Sequence, residues 1–192
     1  MFESLGKVCE IVRSLEKVNG RKRFQKTVHI LKTVGFEFNE PFRWGNFGPY
    51  SSALAQEVDM LVDSGILDEQ ATKTGDCVSY VYNLTNAGEK FLEGLRAKGD
   101  NPLFSRPQEF VKAVDAISQI DVADLELLST CLFVWEKDED VNSMLSLVKH
   151  LKEQFSETRI RTFMRFADQI MRAGVEARVS LLCRAEKELT DG

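Results

Sequence analysis

Residues Phe42–Val58, FRWGNFGPYSSALAQEV, decide how the chain is to be read. Phe42, Trp44 and Phe47 alternate, or nearly alternate, with polar residues, as a short strand requires. Gly48-Pro49 is turn chemistry, and Ser51 or Ser52 is a suitable N-cap. Leu54, Val58, Leu61 and Val62 then form the apolar stripe of a helix ending at Ser64-Gly65. On this reading Gly48–Ser51 is a strand-to-helix joint. Gly48 allows an otherwise strained dihedral, Pro49 fixes the next, and Trp44, Phe47 and Tyr50 pack around the joint. The competing reading is an anion held by backbone N–H groups at the helix start, with the hydroxyls of Ser51 and Ser52.

Working upstream, Leu5, Val8, Cys9, Ile11, Val12 and Leu15 recur at helical spacing up to Asn19-Gly20. RKRFQKTVHILKTVG carries Phe24, Thr27, Val28 and Leu31 along one face and stops at Gly35, a good C′ residue. FEFNEPFRWGNF has β-type alternation broken by Pro41, which predicts a short hairpin or edge strand. Downstream, Ile66-Leu67 opens a strand, Lys73–Asp76 is a polar tip, and Val78, Tyr80 and Tyr82 alternate in the return strand. Thr85 caps a further helix through Phe91, Leu92 and Leu95. Helix, helix, short strand, helix, hairpin, helix is the order of a winged helix-turn-helix unit with a β-hairpin wing.

Residues 99–106 collect Gly, Asp, Asn and Pro and are the expected linker. It separates a winged helix-turn-helix domain, 1–98, from an all-helical domain, 107–192. Pro107 starts a helix through Phe110, Val111, Val114 and Ile117. Asp121 or Asp124, and then Asp140, cap two more. ETRIRTFMRFADQIM continues, and a last helix spans about Gly174–Leu189. The fold class is mainly α with a small β component (α+β), a helical bundle following the winged unit.

Three stretches carry a family resemblance: GRKRFQKTVHILKTVGFEF (Gly20–Phe38), FGPYSSALAQEVDMLVDSGIL (Phe47–Leu67) and YNLTNAGEKFL (Tyr82–Leu92). They resemble the YwgA-type proteins, an uncharacterised family in which a Gly-Arg-x-x-x-Gln-Lys helix, a Gly-Pro-Tyr-Ser turn and a Leu-Thr-x-x-Gly element occur in this order. DLELLSTCLFV (Asp124–Val134) is similar to the C-terminal half of that family. A more distant likeness is to the Panacea domain of SocA-type antitoxins, which has a Gln-Lys helix and a Gly-Pro turn. The resemblance implies the fold and brings with it no catalytic residue.

Across 192 residues the net charge is −5, which argues against whole-molecule attraction to nucleic acid but not against a local basic patch. Lys17, Arg21, Lys22, Arg23, Lys26 and Lys32 form such a patch, with no acid between Lys17 and Lys32. Arg21, Lys22, Arg23 and Lys26 are therefore the expected phosphate contacts, with double-stranded DNA as the partner. The alternative is a solvated helix face in a protein-interaction module, antitoxin-like or part of a larger complex. The helix Ser51–Ser64 carries Glu57, Asp59 and Asp63, with Gln56 its one long neutral polar side chain, so base readout through it is not expected.

His29 and His150 lie in different halves, with His29 expected at or near a helix surface. No hydrolase, P-loop or dinucleotide motif occurs, and no enzyme activity, cofactor or metal is expected. Cys9, Cys77, Cys131 and Cys183 form no C-x-x-C pair, and Cys9 and Cys131 are expected as buried thiols. There is no signal-like run and no apolar stretch of about 20 residues, so a cytoplasmic protein away from membranes is expected. Arg159, Arg161, Arg165, Arg172, Arg178 and Arg184 crowd the C-terminal region. They form either a second basic surface or partners for the acids of 121–140, and the bundle is a possible homodimer contact.

Overall fold

A computed structural model describes residues 2–74, 77–98, 104–137 and 140–190. The protein is mainly helical, with two small antiparallel sheets. The first helix, α1 (Phe2–Ser14), leads through a two-residue strand β1 (Val18–Asn19) into α2 (Arg21–Thr33). A hairpin of β2 (Arg43–Gly45) and β3 (Gly48–Tyr50) precedes α3 (Ser52–Asp63). Strands β4 (Leu67–Thr74) and β5 (Cys77–Leu84) follow, and then α4 (Asn86–Lys98). Five more helices close the described chain: α5 (Pro107–Gln119), α6 (Val122–Trp135), α7 (Val141–Leu151), α8 (Glu157–Arg172) and α9 (Val175–Thr190).

The start signals read from the sequence act as caps. Ser51 Oγ accepts from the Leu54 amide, Thr85 Oγ1 from Gly88, Asp121 from Ala123 and Asp140 from Ser143. Gly35 follows α2 with φ of +99°, as a helix-stopping glycine does. Two features depart from expectation. Gly48–Tyr50 is a strand, so the quoted stretch contains a complete hairpin. Strand β1 pairs with β5, Val18 opposite Tyr82, to give the order β1-β5-β4. Two residues are too few for any periodicity to announce them. The expected polar tip includes Gly75 and Asp76, which lie outside the described residues.

Helix α2 is the axis of the molecule. Nine of its residues are buried, so a segment with four cations in its first six positions is largely interior from Phe24 onward. Its C-terminal carbonyls receive arginines from the later helices: Arg106 Nη2 donates to Gly35 O at 3.0 Å and Arg178 Nη1 to Thr33 O at 2.8 Å. Cations at a helix C-terminus complement its dipole and its orphan carbonyls. Phe104 stacks on Phe110 with centroids 4.0 Å apart and meets Phe36 edge-on. Apolar residues from both sides of 99–106, among them Val28, Leu54, Phe110, Leu128 and Phe163, belong to one core. Residues 99–103 of that segment lie outside the described residues. No helix among the described residues is long and apolar enough to cross a membrane.

Candidate functional site: a hairpin over a lysine cluster

The Gln25-Lys26 pair of α2 and the Gly-Pro-Tyr-Ser turn are two halves of one joint. The Gln25 side-chain amide donates to Ser51 O (2.9 Å) and accepts from Ser51 N (2.8 Å), imitating a strand neighbour. One residue on, Lys26 Nζ donates to Pro49 O at 2.7 Å. These buried bonds fix the β2–β3 hairpin to α2 and set where α3 begins. Gly48 is required there: its φ is +86°, and a Cβ would meet Thr130 Oγ1 at 3.0 Å with the ammonium groups of Lys26 and Lys152 close behind.

Beneath the hairpin, Lys22, Lys26 and Lys152 surround a single carboxylate, Glu126. Lys22 Nζ lies 2.8 Å from Glu126 Oε2, and Lys152 donates to Oε1. Burial alone would raise the Glu126 carboxyl, but the hydrogen bonds from Lys152 and Lys22 outweigh it and hold the group below the usual carboxylate range. Lys26, 2% exposed, goes the other way. Desolvation pushes its ammonium down to about 8, opposed by Glu126 and reinforced by Lys152 and Lys22. The cluster thus holds more positive than negative charge.

Above the cluster, the hairpin turns at Asn46-Phe47, opposite the pair Gly45–Gly48. Its aromatics face solvent: Phe47 is 63% exposed, Tyr50 46% and Trp44 41%. This corrects their assignment as packing for the joint. Phe47 lies on the two-residue tip, Trp44 leans on Phe133 of α6 with centroids 6.0 Å apart, and Gln25 and Lys26 hold the joint through hydrogen bonds to its backbone. Lys22 Nζ stands 4.8 Å from the Phe47 ring centroid and Lys152 Nζ 5.9 Å from that of Trp44. Between hairpin and helix lies a groove of about 500 Å³, lined by Arg21, Lys22, Gln25, Lys26, Phe47 and Tyr50.

Arg21, Lys22 and Lys26 come together at this groove, and Arg23 does not. Arg23 donates to Ile120 O (2.8 Å) and Ile117 O (3.3 Å), capping α5, and burial lowers its pKa. Arg21 lies between Tyr82, Glu69 and Asp59, with Nε donating to the Tyr82 hydroxyl at 2.8 Å. Lys26 is on the inner side of α2 rather than on a solvated face with Lys22, because α6 and the hairpin cover that side. His29 is likewise interior, not near the surface. Its Nδ1 is 3.0 Å from Ser129 Oγ, and burial drives its pKa down to about 3, so the ring is neutral. Cys9 and Cys131 are buried, and desolvation raises both thiols.

Sequence reasoning missed Glu126 and Lys152, which meet α2 from more than 100 residues away and carry no local signal. It also passed over Arg43, exposed on β2, and the exposed ring at the tip. The doublet of glycines flanking Asn46-Phe47 was the legible sign of that tip. Among the described residues no group of three or more His, Cys, Asp and Glu side chains converges.

Fold and site together define a mainly helical α+β protein with an aromatic hairpin above a cation-lined groove. No protein-family model matches the chain. The chain is, however, 30% identical over 162 residues to the uncharacterized protein YwgA of Bacillus subtilis (strain 168), covering 82% of this chain and 93% of that one. It belongs to the YwgA family.

Proposed function

We propose that the protein is a cytoplasmic, non-enzymatic regulator of the winged-helix type that associates with nucleic acid. In this reading α1, α2 and α3 are the tri-helical unit and β4–β5 is the wing. The contact surface is the β2–β3 hairpin together with Arg21 and Lys22. The observation that carries the reading is the pair of solvent-facing rings, Phe47 and Tyr50, beside Arg21 and Lys22 at one groove, with exposed Arg43 and Trp44 on the same hairpin. Aromatic rings that stack bases beside cations that meet phosphates are the chemistry of single-strand binding. Of the four cations expected to contact phosphate, Arg21 and Lys22 are partly exposed, each already in an ion pair, whereas Arg23 and Lys26 donate to backbone carbonyls. Single strands are therefore favoured over duplex, and the groove entry of α3 is disfavoured by Asp59 and Asp63 on its exposed side.

A second reading has its own support. The outer side of α3 exposes Met60 between Asp59 and Asp63, an apolar residue in an acidic frame suited to a protein partner. The distant likeness to the Panacea domain agrees with it. Fluorescence anisotropy of a labelled single-stranded oligonucleotide separates the two. The nucleic-acid reading expects binding at low salt that weakens steeply towards physiological salt. Absence of binding at low salt overturns it and leaves α3 as the surface to pursue.

A further inference from the structure

The groove is built more specifically than a strand-binding surface needs. We propose that it receives a single nucleoside phosphate unit, with the base against Phe47 and Tyr50 and the phosphate at Lys22 and Arg21. This inference rests on the nucleic-acid reading and names the ligand of the same site.

Four observations converge on it. The volume, about 500 Å³, lies in the range of small-molecule sites rather than of an open strand path. Its walls divide by chemistry, rings on the hairpin side and cations on the α2 side, which matches a ligand that is aromatic at one end and anionic at the other. Asn46, next to Phe47 at the tip, also lines the groove, and its side-chain amide carries both a donor and an acceptor for a base edge. Finally, the floor carries uncompensated charge. Lys22, Lys26 and Lys152 have Glu126 as their common acid, and Lys26 and Lys152 are almost fully buried. Desolvation depresses the Lys26 ammonium to about 8 although Glu126 favours its charged form, and a phosphate nearby favours that charged form further.

The rigidity of the site is part of the case. Gln25 and Lys26 tie the hairpin backbone to α2, so the rings are held over the cations before any ligand arrives. Lys22 sits over the Phe47 ring and remains partly exposed, able to turn from Glu126 towards a phosphate while Lys152 keeps the carboxylate paired. Such an exchange does not strand Glu126.

A free nucleotide and one nucleotide of a strand share this chemistry. The test is calorimetric titration of the full chain with adenosine 5′-monophosphate, adenosine and inorganic phosphate, alongside a short single-stranded oligonucleotide. Amide chemical shifts are followed in each titration. The expected result is that the monophosphate binds at least tenfold more tightly than either fragment and moves amides of the first turn of α2 and of 45–50. Phe47→Ala and Lys22→Ala each weaken it by roughly tenfold, and Phe47→Ala leaves the melting temperature unchanged. A strand that binds no more tightly than the monophosphate identifies a free nucleotide as the ligand. A strand that binds far more tightly, and displaces the monophosphate, identifies the strand.

If the oligonucleotide binds while the monophosphate moves no amide in the groove, the pocket assignment is overturned and the nucleic-acid reading stands. If neither binds, both fall. If inorganic phosphate alone matches the monophosphate, or Phe47→Ala has no effect, the base does not use the hairpin and the proposal fails.

Discussion

Helices α2 and α8 carry the same sequence signature, cations interleaved with apolar residues, and put it to opposite uses. In α8, Arg161 pairs with Glu157 at 2.7 Å, Arg172 with Asp168 at 2.6 Å and Arg165 with Glu188 at 2.8 Å, all at the surface. Arg159 is held by Asp124 of α6. These pairs neutralise one another in high dielectric, and the apolar residues of the helix face the core. In α2, by contrast, there is no acid, and two of the four leading cations turn inward. Arg23 and Lys26 bind backbone carbonyls, and Lys22 shares the buried Glu126. The difference is one of cover: α2 is enclosed by α5, α6 and the β2–β3 hairpin, whereas one side of α8 meets water. A charge run therefore predicts a surface only where one face of the element stays open.

Four substitutions or titrations break or sharpen this contrast. The largest effect is expected at Glu126. Glu126→Ala leaves Lys22, Lys26 and Lys152 without their shared carboxylate, and removing one partner of a buried ion pair costs about 3–5 kcal/mol. Urea unfolding reads it. An effect below about 1 kcal/mol would mean that the lysines are solvated and the cluster is not interior.

Next comes Gln25→Ala, which orphans Ser51 N in the joint and leaves Ser51 O with the Ala55 amide alone. Unmade buried hydrogen bonds of this kind cost about 1–3 kcal/mol. Faster amide exchange at Ser51 and in the first turn of α3 is expected alongside the lower unfolding midpoint.

The third prediction concerns His29. Its folded pKa is lowered to about 3 from the ordinary 6.5, so the unfolded chain takes up the proton first as pH falls. Its contribution to stability is complete above pH 6.5 and is lost as pH drops from 6.5 towards 3, by at most about 1.4 kcal/mol per pH unit. Unfolding midpoints over that range check it, and His29→Gln flattens this part of the profile. A midpoint independent of pH in wild type between 6.5 and 5 would contradict an interior, neutral His29.

The smallest effect is expected on α8. Arg165→Ala removes an exposed pair with Glu188 and changes stability by about 0.5 kcal/mol or less. A loss comparable with that of Glu126→Ala would erase the distinction between the two helices.

Much of the architecture was legible because its signals are local. Ser51, Thr85, Asp121 and Asp140 announce helices by their side-chain chemistry, and Gly35 ends one by its dihedral. The alternation of Val78, Tyr80 and Tyr82 gave β5. Strand β1 escaped because two residues have no period, and its pairing with β5 is a tertiary event. The site was legible only in part. Arg21 and Lys22 emerged as reachable cations, but the burial of Lys26 and His29 depends on α6, and α6 meets α2 across a hundred residues of chain. The exposed ring of Phe47 was visible in principle. A glycine on either side of Asn46-Phe47 implies a tight tip, and a tip side chain has no core to join. Its proximity to Pro49 and Tyr50 suggested packing instead.

The most direct test of the working face is ultraviolet cross-linking of a bound single-stranded oligonucleotide to the full chain, with the adducts located by mass spectrometry. The account predicts adducts at Trp44, Phe47 or Tyr50, lost when Lys22 and Arg21 are changed together to Ala. Adducts confined to α3 or α8, with the hairpin unmodified, would contradict it.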